Sequence, residues 1–352
     1  MPFDALLLCT GATDRLMPVK GWQYAGAYSL GGAQVALKSQ AVSIGRRVVF
    51  LGSGPLLYLV ASQYAEAGAD VAAVLDTVPF SARVRALPDL LAMPSVLWNG
   101  VALTRTLTRA GVAVHHGVTP IEIMGDADAG VGGIRFRTGS GKVETIACDA
   151  VAMGHHLRPE TQLADLARCD FAFDPGTRQW LPQRDGDGRS SVAGIYLAGD
   201  GAKILGARSA EASGRLAALA ALADLGLPID KGEMTSLRGD VATYAKFARG
   251  LATAFPWPAA QASALPDDAI LCRCEGVSAG DLRAVMRETG AKEANRAKAF
   301  SRVGMGRCQG RYCGLAAAEL IAAESGVPVE QVGRLRGQAP VKPLPIAIGD
   351  DQ

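Results

Sequence analysis

Four of the chain's seven cysteines crowd towards its C-terminus as Cys272-Arg-Cys274 and Cys308-Gln-Gly-Arg-Tyr-Cys313. These two close pairs, C-x-C and C-x4-C, are separated by 33 residues. Four thiolates brought to one place suit a [2Fe–2S] cluster, which also needs backbone N–H donors around its sulfurs to stabilise the added electron. Gly304, Gly306, Gly310 and Gly314 would let the backbone come close enough to provide them. Such a cluster is anionic, and Arg273, Arg302, Arg307 and Arg311 place positive charge nearby. Zinc is the rival metal, disfavoured because a single intervening residue strains two ligands on one tetrahedral ion. Unliganded core thiols are the third reading. Cys9, Cys148 and Cys169 read as small buried hydrophobes.

Glycine-bearing turns are the other candidates. Gly52-Ser-Gly54 lies between an apolar strand pattern and a helix pattern, matching the first two glycines of a dinucleotide fingerprint. Leu57 occupies the third glycine position, and Asp76 closes the next strand, where a ribose-binding acid would sit. The turn could take NAD(P) or another adenine nucleotide, or survive only as scaffold. Thr10-Gly11-Ala12 and Gly199-Asp200 end two further strand patterns. His115-His116 and His155-His156 are adjacent pairs, whose side chains point to opposite faces of a strand and share a metal poorly; they read as strand-end or loop histidines. No Ser-His-Asp order and no paired carboxylates stand out, so no catalytic residue is named.

The elements that must position these residues fit an α/β chain. With 352 residues, 49% of them apolar and 20% charged, the sequence excludes disorder, collagen and a disulfide miniprotein. A net charge of +2, with interspersed signs, gives no argument for nucleic acid or an anionic membrane. The N-terminus lacks a basic leader, and the longest apolar helix pattern, Leu216 to Leu227, is broken by Asp224. A cytoplasmic protein is expected, in which clustered cysteines serve metal or redox chemistry and not disulfides. Strand patterns run over Asp4 to Thr10, up to Gly52, over Val71 to Leu75 and Val112 to His116, and up to Gly199. Helix patterns cover Ala33 to Ser39, Leu56 to Ala67, Leu97 to Gly111 and Ser209 to Leu225. Gly132 to Ala152 reads as an antiparallel pair with a Gly139-Ser-Gly141 turn.

Cys272-Arg-Cys-Glu275-Gly-Val, followed by Arg302-Val-Gly-Met-Gly306-Arg-Cys308-Gln-Gly-Arg-Tyr-Cys313, resembles the bacterioferritin-associated-ferredoxin-like [2Fe–2S] domain fused to flavoprotein subunits. That family holds the α-type (A) subunits of opine oxidase and D-hydroxyproline dehydrogenase, and the B subunit of hydrogen cyanide synthase. The resemblance implies a two-dinucleotide-binding-domain fold of the glutathione-reductase type. FAD would lie against Thr10, Gly11, Gly199 and Asp200, with the helix from about Ser209 aimed at the flavin C2 carbonyl. It implies a partial, discontinuous FAD domain at 1–40 and 155–235, an inserted NAD(P)-type domain at 41–154, a linker at 236–268, the cluster domain at 269–330 and an extended Pro-rich tail at 331–352. The family's first βαβ unit, with its G-x-G-x-x-G, has no counterpart ahead of Asp4, so the FAD site is incomplete within this chain.

As to function, the resemblance implies an electron-transferring subunit of a heteromeric amino-acid, amine or opine dehydrogenase or oxidase. A flavoprotein β subunit would carry the substrate site, and a small ferredoxin-like subunit is a further candidate partner. The alternatives are a non-catalytic relay or assembly subunit with a vestigial nucleotide site, and a stand-alone NAD(P)H-dependent reductase, which Leu57 disfavours.

Overall fold

A computed structural model describes residues 3–341. Its centre is an all-parallel sheet of five strands in the order Ala27–Ser29, Ala150–His155, Arg47–Ser53, Asp70–Asp76 and Ala113–His116. The central strand shows why the sheet is buried on both faces. Val48 and Phe50 enter one core with Leu57, Val60, Tyr64 and Leu107 of the helices Pro55–Glu66 and Pro94–Arg109. Val49 and Leu51 point the other way, into a core with Ile123, Ile134 and Phe136. Those three belong to an antiparallel sheet formed by Thr119–Asp126, Gly130–Arg137 and Val143–Ala147. The turn at 139–141 therefore falls where expected, but Ala150–His155 leaves the antiparallel unit for the parallel sheet. All six of its residues are buried, which only an interior strand permits.

A second unit forms where Leu6–Leu8 pairs in parallel with Ile195–Leu197. Residues far apart along the chain thus lie side by side, backed by helix Ala207–Asp224. Cys9, expected in the core, is exposed: it follows the last residue of Leu6–Leu8, a strand paired on one side only, as the chain turns outward. Cys148 and Cys169 are buried as expected.

The stretch 236–268 departs most from expectation. Helix Lys231–Ala254 occupies its first half, capped by Asp230, whose side chain accepts from the N–H groups of Gly232 and Glu233. Its buried residues Met234, Leu237, Phe247 and Ala254 pack against helices Ala207–Asp224 and Ser81–Leu90. Pro256 and Pro258 follow, and Trp257 between them is buried in the core of the cysteine-bearing segment. That segment comprises helices Ala279–Thr289, Ala294–Ser301 and Gly314–Ser325. Of the tail expected at 331–352, residues 342–352 lie outside the described residues. No described helix is long and apolar enough to cross a membrane.

Candidate cofactor sites

The four C-terminal cysteines meet as two contacting pairs. Cys272 lies beside Cys313, and Cys274 beside Cys308, close enough for each pair to interact. Among the described residues no three His, Cys, Asp or Glu side chains converge on a single-ion position. Two pairs suit a binuclear [2Fe–2S] cluster, in which each iron takes two thiolates, better than one tetrahedral zinc. Cys272 is held down at about 6, first by its contact with Cys313 and then, against burial, by the N–H groups of Gly304, Glu275 and Cys274. Cys313 is pushed up by its contact with Cys272 and by burial. Backbone amides thus already point at sulfur. Gly306 must remain glycine, since a Cβ there would collide with Cys274. The donor set and its amide cradle fit the cluster.

The predicted flavin residues also come together. The parallel pairing of Leu6–Leu8 with Ile195–Leu197 delivers Thr10-Gly11 and Gly199-Asp200 to the same edge. Gly11 is in the left-handed region at φ 72° and a Cβ there would meet open space, a backbone surface a ligand can approach. The Asp200 carboxylate accepts from the N–H groups of Leu205 (3.2 Å) and Gly206 (3.4 Å), fixing the entry to helix Ala207–Asp224. These residues fit one side of an FAD site.

At the Gly52 turn the fit fails. A Cβ on Gly52 would strike the Gly154 carbonyl, so strand packing alone requires this glycine. Leu57 is fully buried. Asp76 does close its strand, but its carboxylate is fully buried and bonded to Tyr58 Oη (2.5 Å), the Val78 N–H (2.8 Å) and the Arg83 guanidinium. Burial pushes Asp76 up, opposed by Arg83 and the Tyr58 hydroxyl. With both oxygens engaged and none of the side chain exposed, the carboxylate is closed to a ribose, and no step through NAD(P) is derived.

Sequence reasoning missed the residues that join the two fitting sites. Arg158, Glu160 and Gln162 all reach the Cys308–Cys313 loop. Arg158 lies on the short strand Leu157–Pro159, Glu160 just beyond it and Gln162 at the start of helix Gln162–Leu166, and no motif marks them in the sequence. Of the four arginines expected around the cysteines, Arg311 pairs with Glu160 and Arg302 with Glu275, while Arg273 reaches the Ala27 carbonyl over the Trp22 ring. These three are structural ties more than a charge cloud, and Arg307 is exposed. Leu335, from the tail, rests against Gly304, Gly310 and Gly314.

A dinucleotide-binding fold carrying a four-cysteine module defines a flavoprotein oxidoreductase with an iron–sulfur domain. Residues 1–219 match the pyridine nucleotide-disulphide oxidoreductase family and residues 270–323 the BFD-like [2Fe-2S] binding domain. The opine oxidase A subunit of Agrobacterium tumefaciens is 40% identical over 98% of this chain and 69% of its own length. The hydrogen cyanide synthase HcnB subunit of Pseudomonas aeruginosa is 30% identical over 98% of this chain and 75% of its own. The chain spans 65% of the corresponding opine oxidase protein of Rhizobium meliloti. Crystalline L-proline dehydrogenase from P. horikoshii superposes with a TM-score of 0.65 at 18% identity, over 97% of this chain and 57% of that one, a likeness of fold. The chain belongs to the pyridine nucleotide-disulphide oxidoreductase family, as a relative of the opine oxidase A subunits; that family implies FAD, and the BFD-like domain a [2Fe–2S] cluster.

Proposed function

We propose that this chain is the electron-transferring subunit of a cytoplasmic heteromeric enzyme that oxidises amino-acid, amine or opine donors at a C–N bond, the substrate site lying on a partner flavoprotein subunit. The relatives named as subunits support this reading. When bound, FAD and the [2Fe–2S] cluster supply two-electron and one-electron chemistry respectively. The chain's own residues contribute placement. Thr10, Gly11, Gly199 and Asp200 would hold the flavin, and Cys272, Cys274, Cys308 and Cys313 the cluster. The expected division of 1–40 with 155–235, then 41–154, then 269–330 needs one correction: Ala27–Ser29 pairs with Ala150–His155, so this strand and the helix Leu30–Gln40 after it go with 41–154.

The observation that carries the reading is contiguity. Strand Leu157–Pro159 pairs with Ala12–Asp14 beside the flavin turn, and the side chain of Arg158 bonds the cysteine loop. One segment touches both sites. The test is the visible spectrum of the anaerobically purified chain, with iron, sulfide and flavin counted per polypeptide. Two irons and two sulfides, lost together in single serine variants of the four cysteines, are expected. Zinc without iron would overturn the electron-transfer reading.

A second reading, a relay or assembly subunit that does not use nicotinamide nucleotides, draws on the closed Asp76–Arg83–Tyr58 contact. A cluster without flavin in the same measurement would favour it.

A further inference from the structure

Strand Leu157–Pro159 lies antiparallel to Ala12–Asp14, with Arg158 opposite Thr13 and Pro159 opposite Ala12. Beyond it, the Glu160 N–H donates to the Gly11 carbonyl at 3.0 Å, and the Thr10 hydroxyl donates to the Glu160 carbonyl. The backbone of this segment is thereby fixed to the turn proposed to hold the flavin. Its side chains go the other way. Arg158 Nη1 donates to the Arg311 carbonyl at 2.9 Å and the Gly310 carbonyl at 3.4 Å. Glu160 Oε2 accepts from Arg311 Nε at 2.6 Å, and Gln162 Nε2 donates to the Gln309 carbonyl at 3.0 Å. The loop between Cys308 and Cys313 forms neither helix nor sheet ladder; the Cys308 and Gly310 carbonyls accept from the Arg311 and Gly314 N–H groups, while those of Gln309 and Arg311 take side-chain donors from this segment. The alternating residues 158, 160 and 162 supply partners to three consecutive loop residues.

Charge makes the arrangement more than a brace. Arg158 makes no direct ion pair among the described residues; it is half-buried against the loop carbonyls, with the Glu160 carboxylate and the Arg311 guanidinium as the nearby charges and the sulfurs of Cys308 and Cys313 close by. Glu160 and Arg311 are paired with side chains only 13% and 11% exposed. In such surroundings a charge acts on a neighbouring anionic centre with little screening by water.

Resting on the function proposed above, we infer that Arg158 and Glu160 are positioning residues for the cluster: together they hold the cysteine loop on the flavin turn, and their opposite charges set how readily the cluster accepts an electron. Arg158 favours the reduced, more negative form, and Glu160 opposes it.

The test uses the full chain with its cluster reconstituted anaerobically. Iron and sulfide are counted first, and the cluster is then titrated potentiometrically under electron paramagnetic resonance. Arg158→Gln is expected to lower the reduced-to-oxidised ratio at a given ambient potential about tenfold, equivalent to about 59 mV for one electron. Arg158→Lys is expected to restore it, and Glu160→Gln to move it the opposite way. A merely structural role cannot give opposite signs with rescue. Unchanged potentials, or shifts in one direction for both neutral variants, would overturn the inference. If Arg158→Gln loses the cluster, the sign of the Glu160→Gln shift decides. A wild-type chain that binds no iron would instead sink the function on which the inference rests.

Discussion

Gly201 packs directly on Thr10, so closely that a Cβ added at Gly201 would collide with the Thr10 hydroxyl and crowd the N–H groups of Thr10 and Gly11. Two turns whose residues 10 and 201 stand 191 apart in the chain are thereby closed into one surface, and their separation depends on a missing methyl group. Gly201→Ala is expected to cost about 1–3 kcal/mol by overpacking and to lower the flavin recovered per chain. Gly214→Ala, in helix Ala207–Asp224 with open space around it, is the control and should be neutral or slightly stabilising. Flavin absorbance and thermal unfolding of both variants check this. Equal flavin content in the two would detach the turn from flavin binding.

Asp76 and Arg83 form the closed counterpart at the second nucleotide turn. If the Asp76 carboxylate serves Tyr58, Val78 and Arg83, NADH and NADPH at millimolar concentration should leave the melting temperature of the chain unchanged. Asp76→Asn should destabilise it by about 3 kcal/mol, because the guanidinium loses its buried partner. The contrary result, NADH raising the melting temperature in the wild type but not in Asp76→Asn, would restore the ribose-binding role.

How far the sequence revealed these sites depended on distance along the chain. The cysteine motif is local, and its chemistry follows from its spacing; the glycine turns are local too, but their flavin reading rests on the family resemblance. The use made of a turn is not local. Gly52 is required by the Gly154 carbonyl, and Asp76 is occupied by Tyr58 and Arg83, contacts that strand order and helix placement create. Helix Lys231–Ala254 was hidden for a related reason: Gly232, Gly239 and Gly250 interrupt its apolar stripe, and Gly250 is small because the backbone of Leu90 passes against it. Arg158 and Leu335 carry no motif; only the folded chain shows what they touch.

Leu335 fills a notch made by three glycines. A Cβ on Gly304, Gly310 or Gly314 would crowd its Cδ1 methyl. The tail that carries it is anchored by Arg334 and Arg336 on Asp165 and by Arg311 Nη1 on the Val341 carbonyl. Leu335→Ala should open the cysteine loop to solvent and speed bleaching of the cluster in air about tenfold, with little change under argon. Gly310→Ala, at φ 76°, should also cost about 1–3 kcal/mol of stability through backbone strain. Equal bleaching rates for wild type and Leu335→Ala would remove any shielding role.

His155 gives the fold a predictable acid limit. It is 2% exposed, its Nδ1 lies 3.2 Å from the Ser53 hydroxyl, and its ring stands edge-on to Trp257. Burial, and then the charge of Arg15, lowers it from 6.5 to about 3, so the native ring is neutral. Because the unfolded chain binds this proton below pH 6.5 and the native chain does not, stability falls as pH drops through 6.5, and the loss is complete only near pH 3. Between pH 6.5 and pH 5 the cost from this residue is about 2 kcal/mol, at about 1.4 kcal/mol per pH unit. Neighbouring His156, lowered to about 4 by burial and Arg15, acts in the same direction. Denaturant unfolding of wild type and His155→Gln across this range separates the contributions. The variant should start less stable, with Ser53 repartnered, but lose less on acidification; identical pH slopes would place the acid sensitivity elsewhere.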